Sequence, residues 1–371
     1  MTVSNEGKLL IDLCRRLLLP DSGVSGLPEL SGELPELSGD QWGRLLYLAA
    51  YHRVSPILGS FARSLNAPMY VATLLETYYL YNRERTWLYA QEIASITKKM
   101  ADHDLDVLVR KGGYLAYSIY PEAALREFND LDLLIHESDR DRASALLMEM
   151  GYAQGTLTQD ARAVKPIARR TEVFWRLNAS SLPVFIRPAA NDYINHYRVD
   201  LRFGLLEPVT GKTLPMEDWF EGAQTVHAYG ISSRVASREH FLIDVAVHLH
   251  REAIALTSIE ANKDLRLMRF LDMAAIFASR DSRPDVARLG SLIEKYDLRH
   301  EVYYALHFTD LLFPSVIPQE LLTRLRPADM DYLDQYGEMD HAKATWPMDF
   351  LTRLFDPARS RFVESRSELP R

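Results

Sequence analysis

A chain of 371 residues, 47% hydrophobic and 25% charged, carries enough apolar material for a sizeable core and two or three subdomains. Its net charge of −8 argues against general electrostatic affinity for nucleic acid and leaves only a local basic patch to meet a polyanion. One cysteine, Cys14, excludes an internal disulfide and a multi-cysteine zinc site, and no apolar run approaches the roughly eighteen residues of a membrane span.

Residues 7–19 place leucines at helical spacing and predict an amphipathic helix. Asp12, Arg15 and Arg16 in that run, with no small-residue cleavage site after it, do not suit a signal peptide, so a cytoplasmic protein is expected. A Gly/Pro/Ser-rich segment follows and contains a duplication, LPELSGE at 27–33 and LPELSGD at 34–40. Two copies are too few for a repeat architecture, so this reads as a loop lengthened by duplication. Ser38 or Asp40 is placed to cap a helix beginning near Gln41. From Trp42 to Lys99 the pattern is helical, interrupted by Pro56 and Pro68.

Residues 106–136 carry the densest chemistry. Val107, Leu108 and Val109 form a run short enough for a strand; Lys111-Gly112-Gly113 leads into a helix; Leu131 to Ile135 returns as a second strand, entered by Asp130 and Asp132. Residues two apart on a strand share a face, so the two carboxylates project together while Leu131 and Leu133 point into the core. Paired acids at the mouth of a buried strand call for a cation, which is the chemistry of a Mg²⁺ site for phosphoryl or nucleotidyl transfer. The alternative is an exposed strand end. Gly112 and Gly113 allow close backbone approach to a phosphate, or serve a turn for conformational reasons alone. Lys111 and Arg126 suit a triphosphate, as a point charge and as a bidentate fork, or else each pairs with a nearby acid.

Ser138-Asp139 predicts the start of a helix closed by Gly151, which makes 104–152 an alternation of strand and helix. Residues 155–196 include a basic stretch, Arg162, Lys165, Arg169, Arg170, Arg176 and Arg187, with strands expected at 172–177 and 183–187. This stretch is expected to border a cleft that handles a triphosphate. In the strand at 196–203, Val199, Leu201 and Phe203 share one face and Arg198, Asp200 and Arg202 the other. Asp200 is thus a candidate third carboxylate for a two-metal site, or a surface acid paired with Arg198 or Arg202. From Ser237 the chain reads as helical; His248 and His250, two apart, point to different faces, and Arg269 and Asp272 are spaced for a salt bridge. Gly211-Lys212-Thr213 is not a phosphate loop, because Leu206 stands at the required earlier glycine and Pro215 follows where a helix should open. The last fifteen or so residues are polar and expected to be loosely held.

Together Lys111, Gly112, Arg126, Asp130 and Asp132 resemble the signature of an uncharacterised bacterial nucleotidyltransferase family within the DNA polymerase β-like superfamily, over about residues 40–276. The sixteen residues between Gly113 and Asp130 follow the longer spacing of that closer family. The resemblance implies an α+β fold, with a small mixed-sheet nucleotidyltransferase core at 103–235 between helical regions at 1–102 and 236–371. It implies an enzyme that moves an NMP from an NTP to a hydroxyl or phosphate of a small-molecule or peptide acceptor. Two Mg²⁺ ions would be held by Asp130 and Asp132, with Asp200 joining one of them, and the triphosphate by Lys111, Gly112, Gly113 and Arg126. The closer family places a His two residues after the third acid, where this chain has Arg202. Two rivals remain: a toxin-like nucleotidyltransferase that modifies tRNA or protein, favoured by the basic stretch, and a nucleotide-binding module without turnover. If Asp130 and Asp132 repel each other, Asp132→Asn is expected to hold or slightly raise stability while transfer falls by orders of magnitude.

Overall fold

The computed structural model describes residues 3–18, 36–189, 191–337 and 343–363, apart from the Arg176 side chain. The first copy of the duplication, residues 34 and 35 of the second, and residues 364–371 of the polar C-terminus lie outside the described residues. The chain divides into two compact units, Met1–Leu80 with Val245–Arg371, and Tyr81–Asp244.

In the first unit, α1 (Asn5–Leu18) buries Leu9, Leu10, Leu13 and Leu17, the apolar stripe its spacing predicts. Of the two candidate caps for α2 (Gly39–Tyr51), Ser38 is the one used. Its hydroxyl accepts from the Gln41 N–H while the Gln41 side chain accepts from the Ser38 N–H, a reciprocal capping box. The two prolines mark helix starts. Pro56 sits in the first turn of α3 (Ser55–Ser60), where its missing N–H costs nothing, and α4 (Met69–Ala101) opens directly after Pro68. Gly59 lets α3 and α4 touch: a Cβ there would lie 2.4 Å from the Leu75 carbonyl oxygen.

The second unit is built on a six-stranded sheet. Its strands are β1 (Val107–Val109), β2 (Leu131–Ile135), β3 (Ala153–Leu157), β4 (Val164–Pro166), β5 (Phe185–Pro188) and β6 (His196–Arg202). They lie in the order β1-β2-β6-β5-β3-β4, with β2 and β6 parallel and the other neighbours antiparallel. The fold is α+β with a mixed sheet. Between β1 and β2 run α5 (Lys111–Tyr114) and a π-helical turn at Leu115–Ile119, so the helix expected after Lys111 is short and changes winding. The helix after β2 is α6 (Arg140–Glu149), and Gly151 follows it at φ +86°, a left-handed value that glycine adopts without strain.

One expected strand is a helix. Residues 172–177 belong to α7 (Arg169–Asn178). The segment RRTEVFWRLN has neither glycine nor proline, half of it is Arg, Glu and Leu, which favour a helix, and β3 and β5 pair directly with each other rather than through it. Its Val173, Phe174 and Leu177 are exposed, at 49%, 61% and 75%. The other expected strand forms, as β5. Short α8 (Glu217–Glu221) precedes a hairpin of β7 (Gln224–Ala228) and β8 (Ile231–Val235), turned by Tyr229 and Gly230, both at positive φ. Then α9 (Arg238–Ile254) carries the chain out of the second unit.

Back in the first unit, α10 (Leu256–Glu260) and α11 (Leu267–Ala278) follow, and ten of the twelve residues of α11 are buried, as its near-continuous apolar run predicts. His248 approaches Glu252 at 3.5 Å while His250 packs edge-on against Tyr304, so the two histidines face different neighbours as expected. Arg269 pairs with Glu252.

Candidate active site

Strand β2 lies between β1 and β6 and is buried along its whole length. The parallel register sets Asp132 opposite Asp200, Leu131 opposite Val199 and Leu133 opposite Leu201. Residues paired across adjacent strands share a face, so the two aspartates leave the same face of strands that run about 4.8 Å apart. Leu131, Leu133, Val199 and Leu201, all at most 1% exposed, anchor them from the opposite face. The period-two pattern of both strands therefore brings two acids together that are 68 residues apart in sequence (200 − 132). Asp132 is buried and Asp200 half-buried.

Lys111 reaches this pair from the turn after β1. Its ammonium donates to Asp132 Oδ1 at 2.6 Å, with only 11% and 5% of the two side chains exposed. The Lys111 backbone holds φ +36°, in the left-handed region that strains a residue with a Cβ. Gly112 and Gly113 are required by packing. A Cβ on Gly112 would lie 2.8 Å from Arg126 Nη1 and from Phe128 Cβ, and one on Gly113 would meet Ile93 and Val109 at 2.9 and 3.0 Å. The absence of side chains at 112 thus lets the Arg126 guanidinium lie against the backbone beside Lys111. Asp130, just before β2, is exposed, and its charge acts on the Tyr89 phenol. Next to it, Asn129 Oδ1 accepts from Arg85 at 2.5 Å.

Burial alone would raise the Asp132 carboxyl, but Lys111, Arg110 and Arg126 outweigh it and hold the group below the usual carboxylate range. Asp132 is therefore an anion within a buried positive setting.

Sequence reasoning missed the Arg110–Asp244 pair. Arg110, at the end of β1, donates from Nε and Nη2 to Asp244 on α9, at 2.7 and 2.5 Å, both side chains at most 6% exposed. Burial would lower the Arg110 guanidinium, but Asp244 reverses this and Asp132 and Asp200 add to the rise. The Arg110 N–H also donates to the Asp132 carbonyl at 2.9 Å, which ties the turn to β2. Two signals were available: an arginine directly after a buried strand, and a lone aspartate within the apolar run FLIDVAV.

The polar face of β6 differs from the expected one at one position. Arg202 is 4% exposed, because it turns to donate to the Gly204 carbonyl at 3.0 Å and to Glu207 at 2.5 Å, while Phe203, past the strand end, is only half-buried. In the basic stretch, Arg187 is a structural residue. It pairs with buried Glu92 at 2.5 Å and lies over the rings of Tyr152 and Tyr197. Arg162, Lys165, Arg169 and Arg170 are exposed.

Hard carboxylate oxygens on adjacent strands suit Mg²⁺, which takes one or two protein carboxylates and fills its shell with water and substrate phosphates. Asp132 and Asp200 fit one such ion. Among the described residues no three His, Cys, Asp or Glu side chains converge as a ligand set.

Residues 38–314, about three quarters of the chain, match the model of a family described as an uncharacterised nucleotidyltransferase. The chain belongs to that family. The match extends past the 40–276 expected from the signature, through α12 (Val286–Lys295) and the whole of α13 (Arg299–Leu312). Among solved structures, this nucleotidyltransferase is similar to the antibiotic-resistance factor ANT(2'')-Ia, at 10% identity and a TM-score of 0.35, over 60% of this chain and 97% of that one. It is also similar to an antigenic nucleotidyltransferase-like protein from Paracoccidioides brasiliensis, at 13% identity and a TM-score of 0.30, over 60% and 91%. Among curated proteins none matches this chain. No helix among the described residues is long and apolar enough to cross a membrane.

Proposed function

We propose that the protein is a Mg²⁺-dependent enzyme that moves an NMP from an NTP to a hydroxyl or phosphate of a small-molecule or peptide acceptor. The observation that carries this reading is the register of β2 and β6, which sets Asp132 and Asp200 side by side with Lys111 on Asp132. In the reaction an acceptor oxygen forms a bond to the α-phosphorus, the bond from that phosphorus to the bridging oxygen breaks, and pyrophosphate leaves. Lys111 and Arg126 neutralise the triphosphate, and the missing side chain at Gly112 leaves room for the Arg126 guanidinium beside Lys111. Asp200, half-buried beside Asp132, faces the acceptor and receives its proton. Asp132 and Asp200, with Asp130 at the rim, are the residues that would hold magnesium, which supplies charge neutralisation at the phosphates when bound. Positioning and electrostatics then account for most of the rate, as phosphoryl chemistry allows.

Exposed Arg162, Lys165, Arg169 and Arg170 favour a second reading, in which the acceptor is tRNA or a protein. One experiment separates these. The protein is incubated with each labelled NTP, Mg²⁺ and a cell extract, and the labelled product is sized and digested with nuclease and protease. Label in a small molecule or peptide supports the first reading, and label in RNA or an intact protein the second. NTP binding without Mg²⁺-dependent pyrophosphate release would indicate a module without turnover.

A further inference from the structure

The ammonium of Lys111 occupies an oxygen on which a metal ion would depend. Nζ lies 2.6 Å from Asp132 Oδ1, with both side chains nearly enclosed. Arg110 and Arg126 add positive charge at the same carboxylate, and Arg110 is held in place by its two bonds to Asp244. A divalent cation arriving alone meets, beside Asp200, a carboxylate already paired with an ammonium and under the charge of two guanidinium groups. A phosphate chain brings anionic oxygens to which the ammonium can transfer, because lysine is a point charge on a flexible stem and holds Asp132 by one bond.

We infer that Lys111 determines the form in which this site accepts metal: it closes Asp132 to a free divalent cation and yields it when a nucleotide's phosphate chain draws the ammonium away. The inference rests on the nucleotidyl-transfer reading above. In the exchange one ion pair, ammonium to carboxylate, is replaced by two, ammonium to phosphate and carboxylate to metal. Linkage then makes the coupling reciprocal, so nucleotide raises metal affinity by the factor that metal raises nucleotide affinity.

The test uses Mn²⁺ as the probe ion, its free concentration held by a buffer, and an equimolar mixture of ATP, GTP, CTP and UTP. Binding and melting are measured on the full chain and on Lys111→Gln, which keeps a neutral donor in place of the ammonium. Expected is at least about tenfold tighter binding of Mn²⁺ alone by Lys111→Gln than by the unmodified protein, with nucleotide binding weakened at least about tenfold, each about 1.4 kcal/mol. The variant melts earlier without metal, and Mn²⁺ alone restores it; a purely structural salt bridge offers no such rescue. Equal or weaker Mn²⁺ binding by Lys111→Gln overturns the inference. Should that variant fail to fold, the unmodified protein decides: its half-saturating free Mn²⁺ falls at least about tenfold with nucleotide present, and an unchanged value overturns the inference. An unmodified protein that binds no nucleotide overturns the transfer reading and the inference with it. One that binds nucleotide without any Lys111 effect overturns the inference alone.

Discussion

Arg110 and Lys111 are consecutive, and each buries a cation against an aspartate, yet the two pairs are built differently. Arg110 grips Asp244 through two nitrogens, at 2.7 and 2.5 Å, while Lys111 makes one 2.6 Å bond to Asp132. A guanidinium fork fixes orientation and keeps its proton; an ammonium on four methylenes can turn to another anion. The first construction suits a pair that holds the turn after β1 in place. The second suits a pair that must open when substrate arrives. Two neighbouring ion pairs, alike in charge and burial, thus divide between scaffold and site.

The largest effect that would sharpen this contrast is expected from Asp132→Asn. Transfer should fall about a thousandfold, equivalent to ~4 kcal/mol of transition-state stabilisation, measured as pyrophosphate release from labelled NTP. Its stability effect reverses the one expected from sequence. Asp132 faces the Lys111 ammonium, so the amide leaves a buried cation without its anion, and the metal-free protein should lose about 3–5 kcal/mol in urea unfolding. An Asp132→Asn protein as stable as the unmodified one would break the distinction drawn for Lys111.

Asp244→Asn probes the scaffold pair and should cost about 3–5 kcal/mol, because Arg110 stays charged at any accessible pH. Removing both charges, as Arg110→Met with Asp244→Leu, should recover most of that loss. If the double variant folds yet binds nucleotide as weakly as a Lys111 variant, Arg110 is not merely scaffold.

Acid titration gives a smaller and differently signed effect. The folded-state pKa of Asp132 is depressed, so its contribution to stability is fully present above the unfolded value of about 3.9 and is lost as pH falls through the lower folded value. Comparing unfolding free energies of the unmodified protein and Asp132→Asn across acid pH should show the difference shrinking toward low pH, by at most about 1.4 kcal/mol per pH unit. A difference independent of pH there would mean that Asp132 is not ionised in the fold.

The smallest effect is expected from Arg169→Gln with Arg170→Gln. Both are exposed on α7, so stability should stay within about 0.5 kcal/mol of the unmodified protein. If the basic stretch serves substrate, the KM for NTP or acceptor rises several-fold; unchanged kinetics would mark these residues as a solvated face.

Much of the site's frame is legible in the sequence because it depends on short-range periodicity. Alternation within His196–Arg202, and an apolar run over Leu131–Ile135 broken only by Asp132, give the face from which each aspartate leaves its strand. Prolines and Ser38 mark helix starts through local backbone chemistry, which needs no tertiary partner. The strand expected at 172–177 fails for the opposite reason. A run of apolar and β-branched residues reads as a strand only if a sheet edge receives it, and no local pattern tells whether one does.

Sequence alone determined which residues carry charge on which face of each strand, and its motif pointed to the family. Tertiary structure decided how those charges are paired. Strand order and parallel register, set by contacts 68 residues apart, brought Asp200 beside Asp132. The fold of α9 brought Asp244 to Arg110, and the left-handed turn at Lys111 aimed its ammonium at Asp132. The physical reason is the range of the forces. Side-chain direction along a strand follows from the backbone's own period of two, whereas the neutralisation of a buried charge depends on whichever distant group the packing delivers within about 3 Å.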